Sequence, residues 1–453
     1  MRLSRRGVIA GLVAGLGAPR LIHAETAADG FIVMVARPVA AKLMEGDQPP
    51  TNLWSYDGSW PPAVLRAKQG QEFRVRFVNA LDRAITIHWF GVRGPAAMMS
   101  IAVEPGDANA FDCVFTPPDA GTFWFGPVAD ISRQREMGLY GLLIVDEASA
   151  PVDLPSASLI FDDWRLRDDS QIDDASFGDL GDAISQGRLG NWFTVNGGYR
   201  PRIDISASLA RLRILNAANV RNMVIIFKGA DPWIIAEDGQ PVPPRAIPAS
   251  GLSLAPGQRT DLLIEEGSDD ITISLNLFED AIETAYLQRR GKAATATIPD
   301  NFMLPANPIA RTPDMAAART LPFLIEGGEK GGMTGATYRG EKLDTRTLLE
   351  HGMAWAFNGT AGLGPEPWQA FKRGETIILE IDNRTKFDQP LHLHGHVWAI
   401  IAEEPVWRDT IIANRGSVTR AVFVADNPGD WGIMSAIAER ADSGLITSFR
   451  VEA

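Results

Sequence analysis

Few residues in this chain can do chemistry. It has six histidines and one cysteine among 453 residues. Three of the histidines fall in one run, His392-Leu393-His394-Gly395-His396, and another stands in His88-Trp89-Phe90-Gly91. Residues i and i+2 of a strand face one side, so a strand there presents His392 and His394 together. Paired imidazoles bind zinc or copper, or serve as buried hydrogen-bonding groups. His396 reads as a supporting residue. His351 precedes a turn without a companion, and His23 lies in an N-terminal apolar segment. The single cysteine, Cys113, excludes an internal disulfide. Its segment, Asn109 to Phe115, alternates like a strand, so Cys113 is expected to pack as a small apolar residue.

The elements that must position these residues read as strands. Phe73–Val78, Arg211–Leu215 and Thr376–Ile381 alternate with period two, and each ends at an asparagine: Asn79, Asn216 and Asn383. Two of them follow a polar, glycine-containing turn, Lys68-Gln69-Gly70 and Lys372-Arg373-Gly374. Forty-three glycines and thirty prolines supply the turns of an all-β chain. The recurrence predicts one β-sandwich unit used three times. Joints are expected near Glu147–Leu154, rich in Ala, Ser and Pro, and near Pro299–Pro322, where four prolines (299, 305, 308 and 313) read as a linker.

The N-terminus reads Ser4-Arg5-Arg6-Gly7-Val8-Ile9-Ala10 before a glycine-rich apolar run, and small residues allow cleavage after Ala24. A twin arginine in that setting predicts a twin-arginine export signal over residues 1–24. The segment carries four arginines and no acid, so its removal takes the formal charge from −13 to −17. Such a surface disfavours nucleic acid and anionic lipid as partners. No membrane insertion is expected once the signal is gone.

Four segments, taken in order, resemble the copper signatures of the multicopper oxidases. They are His88-Trp89-Phe90-Gly91; Gly121 to Val128 with Met137-Gly138-Leu139-Tyr140-Gly141; Gln389-Pro390-Leu391-His392-Leu393-His394-Gly395-His396; and Trp431 to Arg440 running on to Gly444-Leu445. Asp163-Trp164-Arg165, Trp355-Ala356-Phe357-Asn358-Gly359 and Trp407-Arg408-Asp409-Thr410 also look familial. The resemblance covers nearly all of the mature chain. It implies three cupredoxin-like Greek-key β-sandwich domains over 25–150, 151–298 and 323–453, with 299–322 as linker.

The resemblance also implies a ligand set, and here the chain departs from it. The positions of the blue copper hold Gln389, Ser435 and Arg440. A serine oxygen does not replace a thiolate, and arginine is a permanent cation that repels a metal. The six histidine positions of the paired coppers hold Phe90, Gly126, Val128, His394, Met434 and Ala436, so only His394 remains. The two positions of the third copper keep His88 and His392. Without the thiolate, electrons have no entry port; without the pair, oxygen has no place to be cleaved.

Two readings of the remaining histidines stay open. His88, His392 and His394 hold a single copper or zinc ion across the first and third domains, or they are hydrogen-bonded residues that stitch that interface without metal, and no cofactor is the expectation. The apolar replacements predict a cavity packed shut, and Arg440 would place positive charge near Asp388 or Glu439. The expected function is a non-catalytic periplasmic scaffold or binding protein with an unknown protein partner, as in copper-free relatives within this family, one of them tied to cell division. The alternative is a metal-dependent oxidoreductase or copper-binding protein using the three-histidine site. The twelve methionines are scattered, with only Met98 and Met99 adjacent, and give no copper-handling insert.

Overall fold

Alternating burial makes the strands. Along Phe73–Asn79 every second side chain is buried, and the same period runs through Ile446–Glu452. Such strands pack only as faced sheets. The computed structural model describes residues 27–453 except 57, 59, 150–153, 266, 268, 278–279, 292–301 and 309–311. The expected export signal over 1–24, with His23, lies outside the described residues.

Three β-sandwiches follow one another. The first faces a four-stranded sheet (Thr51–Tyr56, Ile32–Ala41, Phe73–Asn79, Gly106–Phe115) against a five-stranded one that carries Gly121–Gly126 and Ile85–Phe90. The second pairs six strands with five, and the third pairs five with five and adds a hairpin, Gly335–Tyr338 with Glu341–Asp344. Each sandwich opens with a parallel pair: Ile32–Ala36 beside Val75–Asn79, Ser156–Phe161 beside Arg211–Asn216, and Arg319–Ile325 beside Ile377–Asn383. This is the all-β sandwich architecture that the repeated strands predict, in the Greek-key, cupredoxin-like form that the resemblance implies.

The three asparagines show how closely the unit repeats. The Asn79 amide donates to the carbonyls of Arg83 and Val103, both at 2.8 Å, and its oxygen accepts from Leu81 N at 3.0 Å. Asn216 makes the same three bonds to Arg221, Leu254 and Ala218. Asn383 makes them to Phe387, Ala413 and Thr385. All three are fully buried. A side chain with both donors and an acceptor is what a buried corner needs to satisfy three backbone groups.

The largest apolar core runs without a break from Met34 to Val145 and from Phe323 to Val451, so the first and third sandwiches share it. The second sandwich has its own, around Leu212, Ile225 and Leu262. Cys113 is buried in the shared core, where burial pushes its thiol up to about 12, and its Sγ donates to Met98 O at 3.3 Å. Within the proline-rich stretch, Phe302 and Leu304 are buried against Leu209, Ile235 and Leu263, and Asn307 bonds Ala120, Gly239 and Gln240. Strand Arg319–Gly327 takes up the last residues of the expected linker. Pro322 is tolerated there because the neighbouring strand Trp355–Phe357 reaches only Ile325–Gly327.

Candidate functional site

Register brings the four signature segments together. His88 lies opposite Ser100 on one side and Gly126 on the other. His392 lies opposite Thr410 and Met434, and Leu391 opposite Ser435. The two strands that carry His88 and His392 belong to different sandwiches and meet at the shared core.

There the three imidazoles converge. His88 stacks on His394 with ring centroids 3.9 Å apart, and His392 lies 5.8 Å from His88 and 5.2 Å from His394. One ring nitrogen from each falls within 4.8 Å of the others. His88 Nδ1 meets Ser100 Oγ at 2.7 Å; His392 Nδ1 meets Asp409 Oδ1 at 3.2 Å and Thr410 Oγ1 at 3.1 Å. The Nε2 atoms of all three are buried without a hydrogen-bond partner. Burial, reinforced by the neighbouring imidazoles, holds His88 well below the usual histidine range, and His394 likewise beside His392. Both are therefore neutral, the form that binds metal. Gly432 makes room for the cluster: a Cβ there would stand 3.0 Å from His394 Nδ1.

This donor set fits one small ion. Three imidazoles with orphaned Nε2 atoms suit zinc or copper with an open fourth position, and a carboxylate behind His392 fixes its tautomer.

The positions matched to the blue copper do not fit a metal. Arg440 is buried and its Nη1 donates to Gln389 Oε1 at 2.9 Å and to Asp388 O at 3.0 Å; Nη2 donates to the carbonyls of Ser185 and Gln186 at 3.3 and 3.5 Å. Its guanidinium lies 4.7 and 5.0 Å from the rings of Phe387 and Trp355. Ser435 Oγ accepts from Ile437 N at 3.2 Å. The expected approach of Arg440 to Asp388 is thus made to its backbone carbonyl, not to its carboxylate.

The positions matched to the paired coppers are filled. Phe90 stacks on Trp124 at 4.0 Å and meets His392 at 5.0 Å. Met434 packs with Val128, Ile131, Ala438 and Ala441. Gly126 leaves no space either, since a Cβ there would meet the Trp124 ring at 2.8 Å. A guanidinium also enters this region: Arg135 Nη1 donates to Ala436 O at 3.1 Å, with the Trp124 ring 5.2 Å away. Sequence reading missed Arg135, because an arginine inside a short helix carries no metal signal. It also missed Ser100. Asp409 did carry one, in Trp407-Arg408-Asp409-Thr410.

His396 lies outside the cluster, its Nδ1 3.0 Å from His394 O and its Nε2 accepting from Asn427 N at 3.3 Å. His351 stands apart beside Tyr338, 5.5 Å between rings.

Comparison with known proteins agrees with this fold and layout. Two models of the multicopper oxidase family match residues 39–150 and 338–453. The chain belongs to the multicopper oxidase family. It is 26% identical to multicopper oxidase MmcO of Mycobacterium tuberculosis across 95% of this chain and 93% of that protein. It is 24% identical to cell division protein FtsP of Escherichia coli across 49% of each. The crystal structure of a multicopper oxidase from Pseudomonas thermotolerans superposes with a TM-score of 0.77 at 28% identity, covering 92% of this chain and 98% of that one. Among the described residues, no helix is long and apolar enough to cross a membrane.

Proposed function

We propose that this chain is a non-catalytic scaffold or binding protein of the multicopper oxidase family, exported by the twin-arginine route to the periplasm. The observation that carries the reading is Arg440. Where the family's electron-entry metal would stand, a permanent cation is hydrogen-bonded to Gln389 and to three carbonyls. Neither Ser435 nor Gln389 supplies a thiolate or imidazole to displace it. Phe90, Val128 and Ala436 offer no ligand for a paired centre, and Met434 is packed among Val128, Ile131, Ala438 and Ala441. Similarity to the cell division proteins supports the reading from outside the site, as does the acidic surface expected for a soluble exported partner protein. The test is elemental analysis and oxygen consumption on protein purified from the periplasm after copper supplementation. The expected result is no oxidase turnover and no thiolate-to-copper absorption band; either one would overturn the reading.

A second reading is favoured by the three orphaned Nε2 atoms. His88, His392 and His394 hold one zinc or copper ion. When bound, that ion would supply a cationic crosslink between the first and third sandwiches, and with its open position a site for a metal-dependent reaction. Stoichiometric metal in the native protein, lost in His88→Ala, supports it; metal-free native protein that takes up none on titration sinks it.

A further inference from the structure

We propose that the edge of the second sandwich around Arg200 and Arg202 docks an extended, acidic segment of a partner protein. This rests on the binding-protein reading above and gives it a surface.

The chain carries a net charge of −13, so most of its cations are expected to be answered by nearby acids. Along this edge two are not. Arg200 and Arg202 are exposed, and among the described residues neither forms an ion pair. Each instead lies against a tyrosine, Arg200 over Tyr199 at 5.1 Å and Arg202 over Tyr286 at 5.2 Å. Tyr199 in turn stacks on Trp192 with centroids 4.8 Å apart. Of the acids that share the edge, Asp204 pairs with Arg290 at 2.9 Å and Glu283 accepts from the Tyr286 hydroxyl at 2.6 Å, so neither pairs with Arg200 or Arg202. The result is two preset guanidiniums beside half-buried aromatic rings. Arginine, tyrosine and tryptophan are the residue types that dominate binding at protein interfaces, and planar guanidinium forks match carboxylates.

The backbone favours an extended occupant. Arg202–Ser206 is the outermost strand of its five-stranded sheet, paired with Asp280–Arg290 on one side and with no strand on the other. An unpaired edge accepts a further strand, with side-chain anchors setting specificity. Asn196 and Arg200 both adopt positive φ, 52° and 44°, where L residues are uncommon, so the turn leading into the strand is held in a set shape. Charge selects an acidic segment, because two exposed guanidiniums without an acid partner stand side by side along this unpaired strand edge.

The test uses the mature protein and a fluorescently labelled peptide of alternating Glu and Val, read by polarisation. Expected is saturable binding that weakens as salt rises, reduced about tenfold or more by the pair Arg200→Ser with Arg202→Ser and also by Tyr199→Ala. Arg415→Ser and Arg339→Ser, on the third sandwich, should leave it unchanged, and a Lys/Val peptide should not bind. Equal loss in the control variants, equal binding of the basic peptide, binding of anionic vesicles but not the peptide, or no binding at all would each overturn the proposal. Self-association lost in the Arg200/Arg202 pair would overturn it too, by naming a second copy as the occupant. None of these readouts depends on metal content or oxidase turnover, so this proposal and the functional reading fail separately.

Discussion

Arg259 of the second sandwich and Asp409 of the third are both fully buried and meet as a fork, Nη1 to Oδ1 at 3.0 Å and Nη2 to Oδ2 at 2.5 Å. Asp409 Oδ1 also faces His392 Nδ1, so a single carboxylate ties the second sandwich to the histidine cluster. Burial would raise the Asp409 pKa, yet Arg259 and His392 hold it well below the usual carboxylate range. Gly91 of the first signature borders the fork: a Cβ there would fall 2.3 Å from Asp409 Oδ2 and 2.5 Å from Arg259 Nη2.

Removing one partner of such a pair strands a buried charge. Arg259→Leu should therefore cost about 3–5 kcal/mol. Urea unfolding checks this; a loss within that of a surface arginine variant contradicts the role given to the fork. Gly91→Ala should be destabilising as well, since its φ of 84° disfavours a side chain and the fork leaves no space for one.

The histidine cluster makes a separable prediction. If it takes an ion, zinc or copper at 100 times its Kd should stabilise the fold by about 2.7 kcal/mol. His88→Ala and His392→Ala should each abolish that gain. Ser100→Ala should weaken it less, since it removes only the bond behind His88. Thermal unfolding with and without metal reads all three variants.

Arg440 tests how the position matched to the blue copper is held. Arg440→Leu leaves the carbonyls of Asp388, Ser185 and Gln186 and the Gln389 amide oxygen without their donor. Each buried acceptor left unsatisfied costs about 1–3 kcal/mol, so the variant should lose stability by at least one such increment without changing metal content. A neutral effect on melting would mean that water replaces the guanidinium.

The junction between Asp442 and the helix Ile131–Glu136 sets a pH dependence. Asp442 accepts from Ile131 N at 2.9 Å and Ser132 N at 2.8 Å, but burial, with Glu439 and Asp130 nearby, lifts its pKa to about 7. A carboxyl raised on folding binds its proton more tightly when native. Its contribution is full at pH below the unfolded value near 4 and is lost as pH rises through about 7. Relative to Asp442→Asn, the native chain should lose up to about 1.4 kcal/mol per pH unit across that window. Parallel pH profiles of the two proteins would contradict the raised pKa.

Export is checked by Arg5→Lys with Arg6→Lys. The precursor should remain in the cytoplasm, because the receptor reads paired guanidiniums; unchanged periplasmic accumulation argues for secretion of the unfolded chain.

What the sequence revealed followed its periodicities and its frames. Strands around Asn79, Asn216 and Asn383 stood out because alternation and a terminal asparagine need only local pattern. The convergence of His88 with His392 and His394 was legible only through resemblance, since 304 residues separate the first two. The partners behind them were not legible in the same way. Ser100 is an ordinary serine on a short strand, and the arginines that enter the regions matched to the family's coppers, Arg135 and Arg440, owe their roles to carbonyls distant in sequence. Hydrogen bonds to backbone leave no residue-type signature, so guanidiniums held by the Ser185 and Gln186 carbonyls (Arg440) or the Ala436 carbonyl (Arg135) read in sequence as any surface arginine would.

The apolar core that runs from Met34 to Val145 and resumes at Phe323 has a consequence for synthesis. The apolar face that the first sandwich turns to the third, at Ala96–Met99, has no partner until strands such as Gly429–Ser435 have left the ribosome. The nascent chain must carry a half-finished hydrophobic face through the whole translation of the second sandwich, which can close on its own core meanwhile. Late emergence of the last strands thus leaves that face waiting longest for its partner, and a truncation in the C-terminal strand should be felt first by its own sheet, at Gln369–Lys372 and Gly429–Ser435.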